Sequence, residues 1–419
     1  MNLEQRLDLL MSLAIDDRDS PHQVIPPRFR HTHDVGALRP LNLRAVRMKN
    51  GHRTVLLRVL MTNACSFNCH YCPMRRDREL PRALLKPEEL VRIFLDARRR
   101  GWCDGLFITT GIPGRPAKVM DDLITVLELL RGRHRFGGYV HVKMVPQGEP
   151  AQIERLVSLA SRVSLNLEAP CGANLKRIAP EKNLAVAEAK LDQARRQVAD
   201  EWREEAAGKP RDPLHPAGSS GMTLQFVVGA TPDSDRAIMG KVTQLYGGSG
   251  VHHAHFSAFR PIRDTPMDGV RATPVIRERR LYQTDYLLRQ YGFSGDEIVY
   301  QPDGNLPLAV DPKVAWALSH PERFPLEVRT AAYEDLLRVP GIGPLTARRI
   351  ANIRSQTFIR NSKDLRRLGV RIGDAGGFLT IGGRRLQPLR WSQQLTLWRP
   401  EDDAGAYQGV YDVSPGTFR

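Results

Sequence analysis

The sequence predicts an α/β protein: a parallel sheet covered by helices, followed by a smaller helical domain. Three observations predict it. Six short β-rich apolar runs follow Thr54, and helical, charge-rich segments separate them. The alternation stops near Gln301. The chain has 419 residues and is 41% hydrophobic, long enough for one large domain plus a small one.

In order, the runs are TVLLRVLM, GLFITTG, YVHVKMV, VSLNLEA, MTLQFVVG and HAHFSAF. Between them lie PEELVRIFLDARRRG, DDLITVLELLRGR, AQIERLVSLASR, a long charged piece from about Leu184 to Ala207, and RAIMGKVTQLYGGSG. Repeated βα units of this kind form an open doubly wound sheet or a full or partial barrel. Residues 1–50 read as a helix and an irregular lead-in carrying no chemistry, and GKPRDPLHPAGSSG (208–221) as a mobile insertion between the fourth and fifth strands. The organisation expected is a lead-in (1–50), a βα domain (51–300), a linker (301–325), a helical domain (326–390) and a tail (391–419).

Sixty-two Lys and Arg against 46 Asp and Glu give a net charge of +16, which suits a polyanionic partner. Charges interrupt residues 1–17, leaving no apolar core for a signal peptide, and no stretch approaches the ~18 apolar residues of a membrane span. A soluble, cytoplasmic protein is expected, without a membrane partner. Five cysteines make no disulfide framework, and three of them fall within eight residues.

Those three, Cys65, Cys69 and Cys72, lie in LMTNACSFNCHYCPMRR, just past the first strand, spaced C-x3-C-x2-C. Three thiolates in one loop can each hold an iron of a 4Fe-4S cube and leave the fourth iron open to a small molecule. Structural zinc is the alternative. It needs four closed ligands, and although His70 lies inside the loop, the remaining cysteines, Cys103 and Cys171, are isolated.

The spacing, Tyr71 directly before the third cysteine, and the βα alternation that follows resemble the radical S-adenosylmethionine (SAM) superfamily. The resemblance implies a partial (β/α)6 barrel, with a 4Fe-4S cluster on Cys65, Cys69 and Cys72 and SAM as cofactors. It also implies one-electron cleavage of SAM to a 5'-deoxyadenosyl radical, and an electron donor such as flavodoxin or ferredoxin. Tyr71 would lie beside the adenine. Thr109, Thr110 and Gly111 occupy the place of the Gly-Gly-Glu motif that holds the SAM amino group, although the glutamate is missing. Asn166 and Glu168, ending the fourth strand, are candidates for the ribose hydroxyls and the methionine moiety, and Gly229 stands where a glycine often approaches the adenine. Glu168, an acid on a buried strand, and Cys171, a candidate hydrogen donor or acid, are the catalytic candidates. A satisfied internal ion pair is the bland alternative for Glu168, and a small buried hydrophobe that for Cys171. Lys143 and Arg260 are candidate partners of a phosphate or of the SAM carboxylate. Cys103 is structural, and two spare cysteines far apart argue against an auxiliary cluster.

In YEDLLRVPGIGPLTARRIANIR a short apolar helix, a Pro-Gly-Ile-Gly turn and a second helix follow one another. Gly341 and Gly343 permit a tight hairpin whose amides, with the second helix N-terminus, can grip a phosphate. The stretch resembles the helix-hairpin-helix motif of DNA repair and replication proteins, with a degenerate copy in SKDLRRLGVRIG. The candidate nucleic-acid contacts are Gly341, Ile342, Gly343, Thr346, Arg348 and Arg349. From Arg338 to Arg399 thirteen basic residues face two acidic ones, a surplus of eleven. A protein-binding hairpin with a solvated basic face is the alternative, and Trp391 and Trp398 could stack on bases.

Together with LKRIAPEKN, SAFRPI and RLYQTDYLLRQYGF, this arrangement resembles a family described as DNA modification or repair radical SAM proteins. The resemblance implies radical chemistry on a nucleotide in DNA and a uracil-DNA glycosylase-like partner. The alternatives are the same chemistry on structured RNA, and a nucleic-acid-binding protein whose iron-sulfur cluster is structural or redox-sensing.

Overall fold

The computed structural model describes residues 1–13, 42–47, 53–210, 212–248 and 250–389. They fall into two compact units. Unit one comprises Met1–Asp233 with Lys241–Thr273, and unit two Ser234–Gly240 with Pro274–Arg419.

Unit one is built on seven strands in sequential order: β1 (Asn42–Arg47), β2 (Arg53–Leu60), β3 (Gly105–Thr109), β4 (Val140–Lys143), β5 (Arg162–Glu168), β6 (Met222–Val228) and β7 (Val251–Ala258). The last six are the runs expected from the sequence, and all pair in parallel. They form a half-barrel. The lead-in holds helix α1 (Leu3–Leu13), as expected, and also β1, which pairs antiparallel with β2 from Asn42 opposite Arg58 to Arg47 opposite Arg53. Six residues with two arginines carry too little apolar alternation to announce a strand; pairing with β2 supplies what propensity does not.

Helices α2 (Pro87–Arg99), α3 (Pro116–Glu128) and α4 (Pro150–Leu159) connect the first strands. Each begins with proline, whose missing N–H costs nothing in a first turn. Their apolar stripes, such as Leu90, Phe94, Leu123, Ile153 and Leu156, pack on the outward strand residues Leu57, Val59, Leu106, Ile108, Val142 and Leu165. The Arg6 guanidinium forks onto Glu89, at 2.8 and 3.1 Å, and ties α1 to α2. After β5 come α5 (Gly172–Ile178) and α6 (Leu184–Ala206), the latter capped by the Asn183 side chain.

The inward strand residues differ from the outward ones. Arg58, His141, Ser164, Thr223 and Gln225 are buried and polar. The registers align Lys143 with Ser164, Ser164 with Thr223, and Thr223 with His253. An apolar shell thus encloses an inner face on which these polar groups sit among apolar residues such as Leu56, Leu60 and Phe107. The insertion between β5 and β6 is anchored: Ala217, Gly218 and Ser220 donate backbone hydrogen bonds to Ser158, Ala160 and Ser161 at 2.8 to 3.1 Å. Residue 211 lies outside the described residues.

Helix α7 (Asp235–Tyr246) begins in unit two, where the buried Asp235 carboxylate pairs with Arg277 at 2.8 Å and accepts the Leu306 amide at 2.9 Å. Unit two continues through α8 (Val275–Gln290), α9 (Pro312–Ser319), β8 (Leu326–Glu327), α10 (Tyr333–Arg338), α11 (Pro344–Ile353), α12 (Ser362–Leu368) and α13 (Ile372–Ala375), and ends with β9 (Leu379–Ile381) and β10 (Arg384–Arg385). It is not all-helical. Strands β10, β9 and β8 form a small sheet, held where Glu327 accepts the Gly383 amide at 2.9 Å. Segments this short carry almost no periodicity. Trp391 and Trp398 lie outside the described residues.

Lys313, on α9, is buried; its Nζ donates to the Ile342 carbonyl at 2.5 Å and sits 4.5 Å from the Tyr291 ring centroid. Burial pushes its ammonium down to about 7, against the opposing pull of Asp311. The unfolded chain, with an ordinary lysine near 10.5, holds this proton more tightly, so unfolding takes up a proton between these values. Stability therefore rises with pH across that window. Chemical denaturation from pH 7 to pH 10 should show the wild type gaining on Lys313→Met, and a pH-independent difference between them would contradict this account.

Candidate iron-sulfur site and candidate nucleic-acid interface

The cysteine loop leaves β2 at Met61 and returns at Leu85, and both ends are tied to the sheet. Met61 donates its amide to the Thr109 carbonyl at 2.8 Å, and Leu85 donates to the Met61 carbonyl at 2.9 Å. Asn63 bridges the loop base, its Nδ2 donating to the Pro81 carbonyl and its Oδ1 accepting the Ala83 amide, both at 2.7 Å. The Arg82 guanidinium fills the centre. It donates to the carbonyls of Asn63, Met74, Arg75 and Arg78 at 2.6 to 2.9 Å. One planar cation with fixed donors thereby gathers carbonyls from both sides of the cysteines.

The thiols differ in their surroundings. Cys65 and Cys72 are half-buried and Cys69 is buried. The amides of Phe67 and Met74 point at the Cys65 and Cys72 sulfurs, each at 3.4 Å, a hydrogen-bonding pattern that stabilises thiolate. Burial pushes the unliganded Cys69 thiol up to about 11 and Cys72 up to about 12. Binding of metal must displace these protons. Cys103 is buried, its thiol raised to about 12 chiefly by burial, and stands apart as a structural residue.

Gly111, after β3, closes on the loop. Its amide donates to the Thr62 carbonyl at 2.7 Å, and a Cβ there would lie 2.3 Å from the Ala64 carbonyl oxygen, so no larger residue fits. Thr109 is buried, and the Thr110 hydroxyl donates to the Gly111 carbonyl. At the end of β5, Glu168 adopts φ +66° beside a register shift between Asn166 and Glu168. A non-glycine residue in that region is uncommon, and such positions collect at functional sites. The Asn166 Oδ1 and Glu168 Oε2 atoms are buried and accept no hydrogen bond, whereas Glu168 Oε1 receives Lys182 Nζ at 2.6 Å. The internal ion pair expected as the bland alternative for Glu168 is therefore present, and it leaves one carboxylate oxygen unused.

Tyr71 packs against Ile178, Val227, Phe259 and Met267. Burial first, then the charge of Glu168, holds its phenol well above the ordinary value, so it is neutral. Gly229 has φ +80°, and a Cβ there would meet the Thr273 Oγ1 at 2.0 Å. Cys171 is exposed and so is not the small buried hydrophobe of the bland alternative; it N-caps α5 with extended backbone, and its Sγ lies 3.9 Å from Asp233 Oδ1. Lys143 Nζ donates to Gln225 Oε1 at 3.1 Å, and Arg260 is exposed.

The thiol trio and the unused oxygens of Asn166 and Glu168 fit a three-cysteine cluster that binds a polar cosubstrate at its open iron. Three thiols from one loop suit iron-sulfur ligation, and among the described residues no group of three or more His, Cys, Asp or Glu, the cysteine trio included, is arranged to hold a single metal ion. Sequence reasoning missed Arg82, Lys182 and Asn63. Arginine and lysine on charged loops look like surface residues, and only the distances give them roles.

In unit two, α10 and α11 form a hairpin through Val339–Gly343. Gly341 has φ +76°, and a Cβ there would meet the Arg371 carbonyl at 2.8 Å. The Ile342 side chain is buried and its amide donates to the Val339 carbonyl at 3.2 Å, so this residue builds the turn instead of facing outward. Gly343 caps α11. Helices α12 and α13 repeat the pattern around Gly369, and the Arg371 amide donates to the Gly341 carbonyl at 3.2 Å, joining the two turns. Thr346 and Arg349 reach the carbonyls of Gly369 and Leu368 at 3.4 and 3.5 Å. Arg348, Arg360, Lys363, Arg366 and Arg367 are exposed. Part of the local positive charge is structural: Arg338 pairs with Glu297 at 3.0 Å and Arg371 with Asp374 at 3.1 Å.

Residues 59–199 match the model of the radical SAM superfamily. No curated protein matches the chain. Solved structures similar to it include HydG, a maturase of the FeFe-hydrogenase, at 16% identity over 56% of this chain and 49% of that one, with a TM-score of 0.42. Methylornithine synthase (PylB) is 11% identical over 56% of this chain and 61% of that one, with a TM-score of 0.43. A radical SAM methyltransferase from Sphaerobacter thermophilus is 17% identical over 62% of this chain and 78% of that one, with a TM-score of 0.39. The chain thus spans about half to three-fifths of the first two. Among the described residues no helix is long and apolar enough to cross a membrane.

Arg82→Met should leave the outer sheet intact but uncouple the carbonyls around the cysteines. Iron and sulfide per chain after anaerobic reconstitution should fall at least severalfold below wild type, with far-ultraviolet circular dichroism unchanged. Wild-type loading of this variant would show that the guanidinium does not organise the loop.

Proposed function

We propose that this chain, a radical SAM superfamily enzyme using a 4Fe-4S cluster and SAM, modifies or repairs a nucleotide in DNA that its hairpin unit binds through phosphates. The observation that carries the nucleic-acid part is the paired turn of unit two, with Gly341 in the left-handed region and a run of exposed arginines and lysine on the flanking helices. Turn amides and basic side chains of this kind hold phosphates without reading sequence.

In the barrel unit, Cys65, Cys69 and Cys72 would hold the cluster. Asn166 and Glu168 would accept hydrogen bonds from SAM through their unused oxygens, and Tyr71 and the cradle at Gly229 would bound its adenine. When bound, the reduced cluster and SAM supply a 5'-deoxyadenosyl radical. The protein's part is to orient the substrate and exclude water. Packing around Tyr71, Val227 and Phe259 supplies an apolar wall, and the neutral Tyr71 phenol adds no charge. A target base must leave the stack to reach a barrel interior, so single-stranded, mismatched or flipped nucleotides are the expected substrates. A flavodoxin or ferredoxin would supply the electron, and a uracil-DNA glycosylase-like protein is the proposed partner.

The reconstituted, reduced protein with SAM should form 5'-deoxyadenosine, detected by mass spectrometry. Cys65→Ala should abolish it and duplex or gapped DNA should stimulate it. Stimulation by transfer RNA alone would move the substrate to RNA, and no product from a fully loaded cluster with any nucleic acid would favour a structural or redox-sensing cluster. In binding titrations against salt, Arg348→Ala with Arg349→Ala should weaken DNA binding and lower the magnitude of the log-log slope by about two. An unchanged slope would remove these side chains from the interface.

A further inference from the structure

We propose that Lys182 is a positioning residue of the cysteine site, whose ammonium fixes Glu168 and raises the reduction potential of the cluster held by Cys65, Cys69 and Cys72. The inference rests on the radical SAM reading of that loop and adds a residue outside the cysteine motif.

The segment between α5 and α6 is stitched onto the cysteine loop at two points. The His70 amide donates to the Ile178 carbonyl at 2.7 Å, and the Asn68 amide donates to Glu181 Oε1 at 3.0 Å. These bonds flank Cys69 and carry the next residue, Lys182, to the inner side of the loop. There its Nζ lies 2.6 Å from Glu168 Oε1, with the lysine side chain 14% exposed and the glutamate 1%. Because His70 and Asn68 are the chain neighbours of Cys69, the segment that carries the ammonium is held against the cysteine loop on both sides of that thiol.

Two consequences follow from the charge. A cation held beside thiolates in a water-poor site interacts with them far more strongly than it would in bulk water. Reduction of the cluster adds negative charge, so the ammonium stabilises the reduced state and raises the potential, while the Glu168 carboxylate opposes it. The second consequence is geometric. Glu168 holds φ +66° at the end of β5, and the ion pair, with the Tyr71 phenol beside it, fixes its carboxylate with one oxygen still unused. Lys182 therefore orients the carboxylate that Asn166 accompanies at the mouth of the barrel.

A mere strut between loop and strand predicts something different: altered loading or melting, with the potential unmoved. The test is a redox titration of the reconstituted full chain, without SAM, followed by electron paramagnetic resonance, with iron and sulfide quantified per chain. Lys182→Met should shift the midpoint to more negative values, and Glu168→Gln should shift it to more positive ones. Lys182→Arg should titrate near wild type, and the double variant Lys182→Met with Glu168→Gln should lie between the single ones. If Lys182→Met loses its cluster by stranding the buried carboxylate, the double variant is compared with Glu168→Gln, from which it differs only in the ammonium, and equal midpoints of the two would overturn the proposal. Fully loaded single variants titrating at the wild-type potential would overturn the proposal while leaving the radical SAM reading intact. A wild-type chain that binds no four-iron cluster would overturn that reading and this inference together.

Discussion

Everything chemical in the barrel unit depends on holding a loop of some two dozen residues in one conformation without a secondary structure of its own. The Arg82 guanidinium performs this by collecting four backbone carbonyls that would otherwise need water or a ladder partner. Loop carbonyls brought this close repel one another, and a delocalised cation converts that repulsion into a common attraction. The cysteines then require only short reach. Gly111 completes the arrangement from the next strand, because its missing side chain lets the β3 end touch the loop backbone.

The barrel also separates polar from apolar surface in an unusual sense. Outward strand residues carry the core, and the inward ones mix hydroxyls, amides, imidazoles and cations with apolar side chains such as Leu56, Leu60 and Phe107. A sheet with both faces apolar would be more stable and would bind nothing polar. The buried oxygens of Asn166 and Glu168 that accept no hydrogen bond are the local cost of that choice, and they lie at the strand end beside the cysteines.

Much of this was legible in the sequence because it is local. The spacing of Cys65, Cys69 and Cys72 reads directly, and each of the six parallel strands is a short apolar run bounded by turns. The turn around Gly341 announces itself by its glycines. What the sequence concealed is relational. Lys182 looks like one more charge in a basic chain until Glu168, fourteen positions earlier, is placed against it. Strand β1 exists through its pairing with β2, and the small sheet of unit two through its register, since Arg384 and Arg385 have no strand pattern of their own. Cys171 shows the same limit: a free cysteine just past β5 reads as a small buried hydrophobe, but the chain turns into α5 at that residue and leaves the thiol exposed.

The bond from the Arg371 amide to the Gly341 carbonyl ties the two glycine turns directly to each other within unit two. A flexible tether between such turns would make each engagement an independent event with its own entropic cost. Under the proposed function, turns tied in this way would act as a chelator toward an extended polyanion: with one turn occupied, the second would stand at a set distance, and its local concentration would owe nothing to linker length. Discrimination in that proposal would come from the spacing of charges on the ligand, so a stiff, regularly charged strand would be retained where an equal number of scattered phosphates would not.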